Sequence, residues 1–163
     1  QGLKPTVDFL SAHYAIVPSS EKQGIRDAAA RWFVRAVEAA VKASRDCQAA
    51  IIADLSNLSS FVDRLSDAIR DEDDAYKQEL FDRIWPAVVR LQNANLLSQA
   101  SVARSLFDAI DRLYLYLPEQ KKSQLEEQLD KWQRQKGLAP EHAIRTNEAV
   151  KRILQTAKTR KRR

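Results

Sequence analysis

The sequence predicts an all-α fold, an antiparallel bundle of five to six helices that includes one long helix, straight or bent. The 163 residues contain only three Gly and five Pro, which is too few for a turn-rich β protein. Apolar residues make up 44% of the chain and recur at steps of three and four, the spacing of amphipathic helices. No segment shows the sustained alternation of apolar and polar residues that predicts a strand.

The first helix is predicted between Pro5 and Pro18, where four apolar residues have helical spacing. The polar segment that follows contains Ser20 and Gln23 at the spacing of a capping box, in which each side chain satisfies a free backbone N–H of the other residue. A second helix should therefore begin at this point.

That second helix is predicted to be very long, because its apolar seam keeps one phase over residues 25–70 without any Gly or Pro. The mean step of about 3.67 residues is close to the period of a straight helix. A single helix of about 45–50 residues would be roughly 70 Å long. The alternative is two helices broken near Asn57, within "SNLSS", because Ser and Asn side chains compete for backbone hydrogen bonds. Cys47 falls on the inner face of this helix, where a buried thiol is expected.

The acidic segment "RDEDD", residues 70–74, should end the long helix and cap the next one, since acids are favourable at a helix N-terminus. The next helix contains Pro86 and is expected to kink after Trp85. Ser98 or Ser101 can cap a fourth helix, which reaches Pro118 and includes the alternating "LYLYL".

Two further helices complete the prediction. "PEQKKSQLEEQLDKWQRQKG" has a narrow apolar stripe and ends at Gly137, which suits a left-handed helix cap. Pro140 suits the first position of a final helix, whose apolar residues extend to Ala157. We accordingly divide the chain into a helical bundle domain, residues 1–157, and a basic C-terminal tail, residues 158–163.

The positive charge is concentrated at one end of the chain. The net charge is +5, yet from Lys151 onward there are seven cations and no acid. Of the 27 cations and 22 acids, 20 cations and all 22 acids lie in residues 1–150, which gives that segment a charge of −2. Such an asymmetry indicates an acidic partner for the C-terminal end.

The tail is the strongest candidate for a binding site, because its cations project in every direction around a helix axis and have no neighbouring acid. We expect these charges to lack internal partners and to contact phosphates, with the salt sensitivity that counterion release produces. The predicted nucleic-acid contacts are Arg145, Lys151, Arg152, Lys158, Arg160, Lys161, Arg162 and Arg163.

A second basic row lies on the long helix and consists of Arg31, Arg35, Lys42 and Arg45. Acids at helical offsets of three and four share this stripe: Asp27, Glu38 and Asp46. We expect the two sets to pair along the helix as a solvated face, which makes this row a weaker candidate for a nucleic-acid site.

No catalytic or cofactor-binding motif occurs, and we predict a protein that is not an enzyme and takes no cofactor. His13 and His142 stand alone, without a second His or Cys at the spacing of metal ligands. The acids of residues 71–74 lack the spaced ligands and the Gly of a calcium-binding loop. The aromatic residues lie at or beside apolar seams and are expected in the core rather than as platforms for base stacking.

The hypothesis from these observations is a non-catalytic helical module of a larger nucleoprotein assembly, comparable in general terms to the small all-helical subunits of RNA-guided effector complexes. The alternative is a protein-interaction or translocated domain whose tail is a targeting signal. The spacing of Arg152, Arg160 and Arg162 resembles the Arg-rich C-terminal export signals of type IV secretion substrates, over about a dozen residues and without their later arginines.

The single cysteine excludes an internal disulfide and fits a reducing compartment, so we expect a cytoplasmic protein, with the nucleus or translocation as alternatives. The apolar runs are far shorter than a membrane span. The chain contains no Met and begins "QGLKP", and we interpret it as a processed product or a domain of a longer protein.

Overall fold

The computed structural model describes residues 4–43 and 47–163, and in these residues it contains eight α-helices, two 3₁₀ turns and no strand. The all-α prediction is confirmed, while the count of five to six helices is too low. The helices are α1 (Lys4–His13), α2 (Ser19–Lys42), α3 (Gln48–Ala68), α4 (Asp74–Asn93), α5 (Ala100–Tyr114), α6 (Glu119–Gln133), α7 (Ala143–Thr146) and α8 (Glu148–Lys161). The 3₁₀ turns are Tyr14–Ile16 and Leu96–Ser98.

The predicted long helix is two helices, α2 and α3, which pack against each other as a hairpin. Ala43 leaves the helical conformation with φ −67° and ψ 139°, and α3 begins at Gln48. The seam residue Ser44 lies outside the described residues. Both the single helix and the alternative break near Asn57 are wrong. An apolar stripe with an unbroken phase cannot reveal a chain reversal when each of the two helices buries its stripe against the other.

Helix α3 runs through the weak segment at residues 56–60 without interruption. The buried Ser59 hydroxyl donates a hydrogen bond to the carbonyl of Leu55, at 2.7 Å, one helical turn earlier. Because this bond gives the Ser59 hydroxyl a partner within the helix, the side chain does not favour a non-helical backbone conformation.

The core lies where α3 and α5 cross and where α2, α4 and α8 cover them. Phe33, Phe61 and Phe107 are each at most 1% exposed and come from three different helices. Truncation of such a side chain to Ala costs about 3–5 kcal/mol, so each of the three contributes substantially to stability. Among the described residues, no helix has the length and apolar character needed to cross a membrane.

A buried arginine joins the N-terminal elements. The Arg26 side chain donates hydrogen bonds to the Tyr14 hydroxyl at 3.0 Å and to Glu72 Oε2 at 3.3 Å. Its guanidinium also lies 4.0 Å from the centre of the Tyr76 ring. Arg26 thus links α2 to the turn after α1 and to the acidic connection between α3 and α4. Residues 70–74 were expected to separate two helices at this connection.

Several predicted helix ends differ in detail. The capping box is wrong, because α2 begins at Ser19 after Pro18 with no side-chain cap, and Gln23 Nε2 donates instead to Asp27. The residue that precedes α5 is Gln99, and neither predicted serine caps it. Helix α5 ends at Tyr114, before most of "LYLYL".

The predicted last helix is likewise two. Pro140 precedes α7, and Asn147 takes an extended conformation, with φ −68° and ψ 123°, that separates α7 from α8. Gly137 has the expected left-handed conformation, φ +85°, although α6 ends four residues earlier at Gln133. Pro86 lies inside α4, which continues to Asn93.

Candidate nucleic-acid interface

Helix α8 carries most of the predicted contacts and packs one apolar face on α5 and α6. The side chain of Asn147 caps it by accepting a hydrogen bond from the Val150 backbone N–H at 3.1 Å. The buried residues of the helix are Ala149, Val150, Ile153 and Ala157. The helix continues beyond Ala157 to Lys161, so the first four residues of the predicted tail belong to it.

Arg145 is held by backbone carbonyls at the end of α6. Its Nε donates to the Gln133 carbonyl at 3.1 Å, and Nη2 donates to the Gln135 carbonyl at 3.2 Å. Carbonyls in the last turn of a helix have no intrahelical partner, so the guanidinium satisfies that of Gln133 and also binds the chain just after α6. Arg145, one of the eight predicted contacts, therefore has a structural role at the C-terminal end of α6.

Lys151 and Arg152 also have acidic partners. Lys151 pairs with Glu148 in the same helix at 3.2 Å, and both side chains are exposed. Arg152 reaches across to α5 and lies 3.0 Å from Asp111. Exposed pairs of this kind contribute little stability, about 0–1 kcal/mol, and can open when a stronger anion approaches.

Arg160 lies in a network that the helical spacing of charges does not predict. Its Nη1 donates to the Tyr114 hydroxyl at 2.7 Å, its Nη2 bonds Glu126, and its Nε lies 3.2 Å from Glu119. Glu126 is 2% exposed, and the Tyr114 hydroxyl donates to it at 3.0 Å. The expectation that the tail's charges lack internal partners is therefore wrong for Arg160.

The network shifts the acid–base properties of its members. Burial, together with the hydrogen bond to Glu126, raises the pKa of Tyr114 to about 12. The hydrogen bond to Glu126 also raises the pKa of Arg160 above its ordinary value. At neutral pH the phenol keeps its proton and the guanidinium its charge, so the last turn of α8 is fixed to α5 and α6.

Four cations at the end of α8 have no such partner: Lys158, Lys161, Arg162 and Arg163. All four are exposed, and none forms an ion pair with the residues that the structure describes. Of the eight predicted contacts, these four carry charge that no internal acid compensates. The structure thus narrows the candidate interface to the C-terminal turn of α8 and the residues after it.

A groove of about 420 Å³ runs between α6 and α8 beside these cations. Lys158 and Lys161 line the α8 wall, while Glu127 and Asp130 line the α6 wall. Arg134 and Lys151 also line the groove, so both cations and carboxylates face it.

The basic row of α2 departs from its prediction. Asp27 pairs with Arg83 of α4 at 2.6 Å, and Glu38 pairs with Arg90 of α4 at 3.5 Å. The prediction that the cations and acids of α2 pair with each other along the helix is therefore wrong for the described part of the row, since both acids pair with α4. Arg45 and Asp46 lie outside the described residues.

Other candidate groups occupy ordinary structural positions. Cys47 is exposed just before α3, which contradicts the expected buried thiol, because the chain reverses there instead of continuing as a helix. His13 bonds the Phe9 carbonyl at 2.8 Å, and His142 caps α7 by accepting from the Ile144 N–H at 3.2 Å. Burial lowers the pKa of His142, which keeps it a neutral acceptor.

Two of the acids after α3 are paired with nearby cations. Glu72 lies 3.5 Å from Lys22 and 3.3 Å from Arg26, and Asp74 lies 3.3 Å from Lys77. Within residues 4–43 and 47–163, no group of three or more His, Cys, Asp or Glu side chains is arranged to hold a metal ion.

The aromatic side chains are mainly packed, as predicted. Trp132 is 4% exposed and lies 5.5 Å from Trp85 between ring centres, and Phe107 is fully buried.

Comparison of the chain with protein-family models, with curated proteins and with solved structures finds no match.

Proposed function

We propose that this chain is a non-catalytic helical module of a nucleoprotein assembly, and that the C-terminal end of α8 contacts the phosphate backbone. One observation carries the proposal: Lys158, Lys161, Arg162 and Arg163 are exposed and unpaired within the described structure. Four positive charges in six residues form a dense cationic end on a body that is otherwise slightly acidic. Phosphate backbones recruit such clusters through release of their counterions.

The paired cations have a supporting role in this proposal. Arg160 fixes the last turn of α8 by its bonds to Tyr114 and Glu126, whereas Arg145 bonds the opposite, C-terminal end of α6. A cation presented on an anchored helix loses less conformational entropy on binding than one on a free chain. The proposal therefore assigns direct contact to the four unpaired residues and positioning to Arg160, while Arg145 has a structural role at the other end of α6.

Cations at the end of α8 also have an effect within the helix, because they complement the negative end of the helix dipole. A test should thus remove charge without removing Arg160 or shortening the helix. The variant K161Q/R163Q meets this condition. A matched control is K131Q/K136Q, which removes two exposed cations without ion pairs in the described residues, near the end of α6.

The experiment is fluorescence anisotropy with a labelled 20-base-pair DNA duplex, a 20-nucleotide DNA strand and a 20-nucleotide RNA, at 50 mM and 200 mM salt. Four phosphate contacts imply that the wild type loses about 100-fold in affinity for the duplex between the two salt concentrations. We expect K161Q/R163Q to bind about tenfold more weakly than the wild type at 50 mM salt. The control should stay within twofold of the wild type.

Equal binding by K161Q/R163Q and the wild type would contradict the proposal, as would binding that does not depend on salt. The targeting-signal hypothesis predicts a different outcome, in which no nucleic acid binds. It also predicts that a full-length K158Q/K161Q/R162Q/R163Q variant changes its cellular location or export. Because that variant keeps Arg160, Glu126 retains its cationic partner, and a change in location cannot result from loss of that buried ion pair.

A further inference from the structure

A second surface, on the α2–α3 hairpin, has an open apolar groove of about 270 Å³. Its lining residues come from both helices: Trp32, Arg35, Ala36, Ala39, Ile51, Asp54 and Leu58. Trp32 and Ile51 are half-buried, with one side packed against the core and the other facing the groove. The groove thus offers apolar side chains to a ligand without being part of the closed core.

Helix geometry explains why one rim of this groove is basic. With successive residues about 100° apart, Phe33 and Val37 face the core, and Arg31 and Arg35 face away from it. Trp32 lies between these two directions, on the side where α3 packs. Of the basic row, Arg35 lies in the groove lining, and Arg31 and Lys42 lie beside it on the outward face of α2.

The acids that share the basic face of α2 lie on the opposite side, toward α4. Asp27 and Glu38 pair there with Arg83 and Arg90, at 2.6 Å and 3.5 Å. Arg31, Arg35 and Lys42 are left exposed, and no carboxylate within the described residues lies close enough to pair with them. This row spans 11 residue steps of α2, or about 16 Å.

We propose that this groove binds an amphipathic α-helix of a partner protein, with its apolar side in the groove and acidic side chains along the α2 row. Asp54 marks the opposite rim, where it has no ion pair within the described structure. An acidic flank is favoured beside Arg31 and Arg35 and disfavoured beside Asp54, so the charge pattern sets which flank of the partner faces which rim.

The chemistry of the groove favours a protein helix over a nucleic acid. Ala36, Ala39, Ile51 and Leu58 offer no donor to phosphate, and Asp54 repels phosphate on the rim opposite Arg35, the single cation of the lining. Apolar anchors enter grooves of this kind at helical spacing, and Trp and Arg are enriched among the residues that dominate such interfaces. The site is separate from the end of α8 and does not depend on the function proposed above.

The test uses a displayed library of random 16-residue peptides, selected for binding to the full chain. The strongest binders are then synthesised with a fluorescent label for affinity measurement. The variants are W32A, which removes a groove wall, and R31E/R35E, which reverses the basic rim. K131E/K136E on α6 is a control with the same change in charge. Thermal unfolding of each variant checks that it is folded.

The proposal predicts selected peptides with apolar residues at positions i, i+4 and i+7 and acids on one flank. Their affinity should fall at least tenfold with W32A and with R31E/R35E, and should stay within twofold with K131E/K136E. Peptides unaffected by the two groove variants, selection without acidic enrichment, or no selected peptide would each overturn it.

Two further measurements exclude other occupants. Labelled RNA that binds wild type but not R31E/R35E, with no peptide binding at the groove, would make this a phosphate site and contradict the proposal. Self-association that W32A abolishes, measured by light scattering, would make the occupant a second copy of the chain and contradict it as well. If W32A or R31E/R35E fails to unfold cooperatively, it is replaced by W32L or R35Q respectively, and the affinity for the peptides should again fall.

Discussion

Replacement of Arg160 by Met tests the network that fixes the end of α8. The methionine side chain keeps most of the aliphatic stem and removes the guanidinium. Glu126, which is 2% exposed, then loses its cationic partner and keeps only the hydrogen bond from Tyr114. The variant therefore leaves a buried carboxylate without a compensating charge.

The expected loss of unfolding free energy is about 3 kcal/mol, the lower end of the range for breaking a buried ion pair, because Arg160 is itself 28% exposed. The contact with Glu119, which is 72% exposed, contributes less than about 1 kcal/mol. For a domain of this size the total corresponds to a fall in Tm of about 6–12 °C.

The assay is urea unfolding followed by circular dichroism, with R160M, E126Q and E126Q/R160M measured together. The double variant carries no buried charge and should recover at least half of the loss, because its two effects are coupled. K158M, which changes an exposed neighbour, should stay within about 0.5 kcal/mol of the wild type. A loss below about 1 kcal/mol for R160M, or no recovery in E126Q/R160M, would show that Arg160 does not compensate a buried Glu126 charge.

Three other predictions concern single groups. Because the folded state holds the Tyr114 proton up to about pH 12 and the unfolded state releases it near 10, stability should fall as pH rises from 10 to 12. The fall should be shallower in Y114F by urea unfolding across this range, and equal slopes would contradict the raised pKa. Cys47 is exposed, so a thiol reagent should label it in the native state almost as fast as in urea, and strong protection would instead place it inside a helix packed on the core. N147A removes the side-chain cap of α8 and should cost about 1 kcal/mol of stability by urea unfolding, while N147D should stay close to wild type. Unchanged stability in N147A would show that the bond to Val150 contributes nothing.

Apolar spacing predicted the helices well where one helix meets the core from one side. In α5, Val102, Leu106, Ile110 and Leu113 were expected on one seam, and each is at most 1% exposed. Their burial follows from the helical period alone, which does not depend on the direction in which the chain enters the next element.

The turn between α2 and α3 could not be found in the same way. The period is the same in both helices, and the connection contains no Gly or Pro to mark a reversal. Only the contacts between the two helices show that the chain folds back, and those contacts depend on tertiary packing. The misplacement of Cys47 on a buried face follows from the same cause.

The candidate site was predictable as a charge asymmetry but not as a pattern of pairs. The bond between Arg160 and Glu126 joins residues 34 positions apart, and that between Asp27 and Arg83 joins residues 56 apart. Offsets of three and four along a helix cannot report such pairs. These pairs decide which cations remain unpaired. Arg160 is paired while its neighbours at the end of α8 are not, and the acids of α2 pair with α4, which leaves the basic row of α2 unpaired.

We propose that four unpaired cations at the end of α8 contact phosphates. The most direct measurement is the slope of log K against log salt concentration for the wild type and for K161Q/R163Q on the same DNA duplex. Each phosphate contact contributes about −0.9, so we predict a slope of roughly −3.6 for the wild type and a slope about 1.8 units shallower for the variant. A wild-type slope near zero, or equal slopes for the two proteins, would contradict the claim.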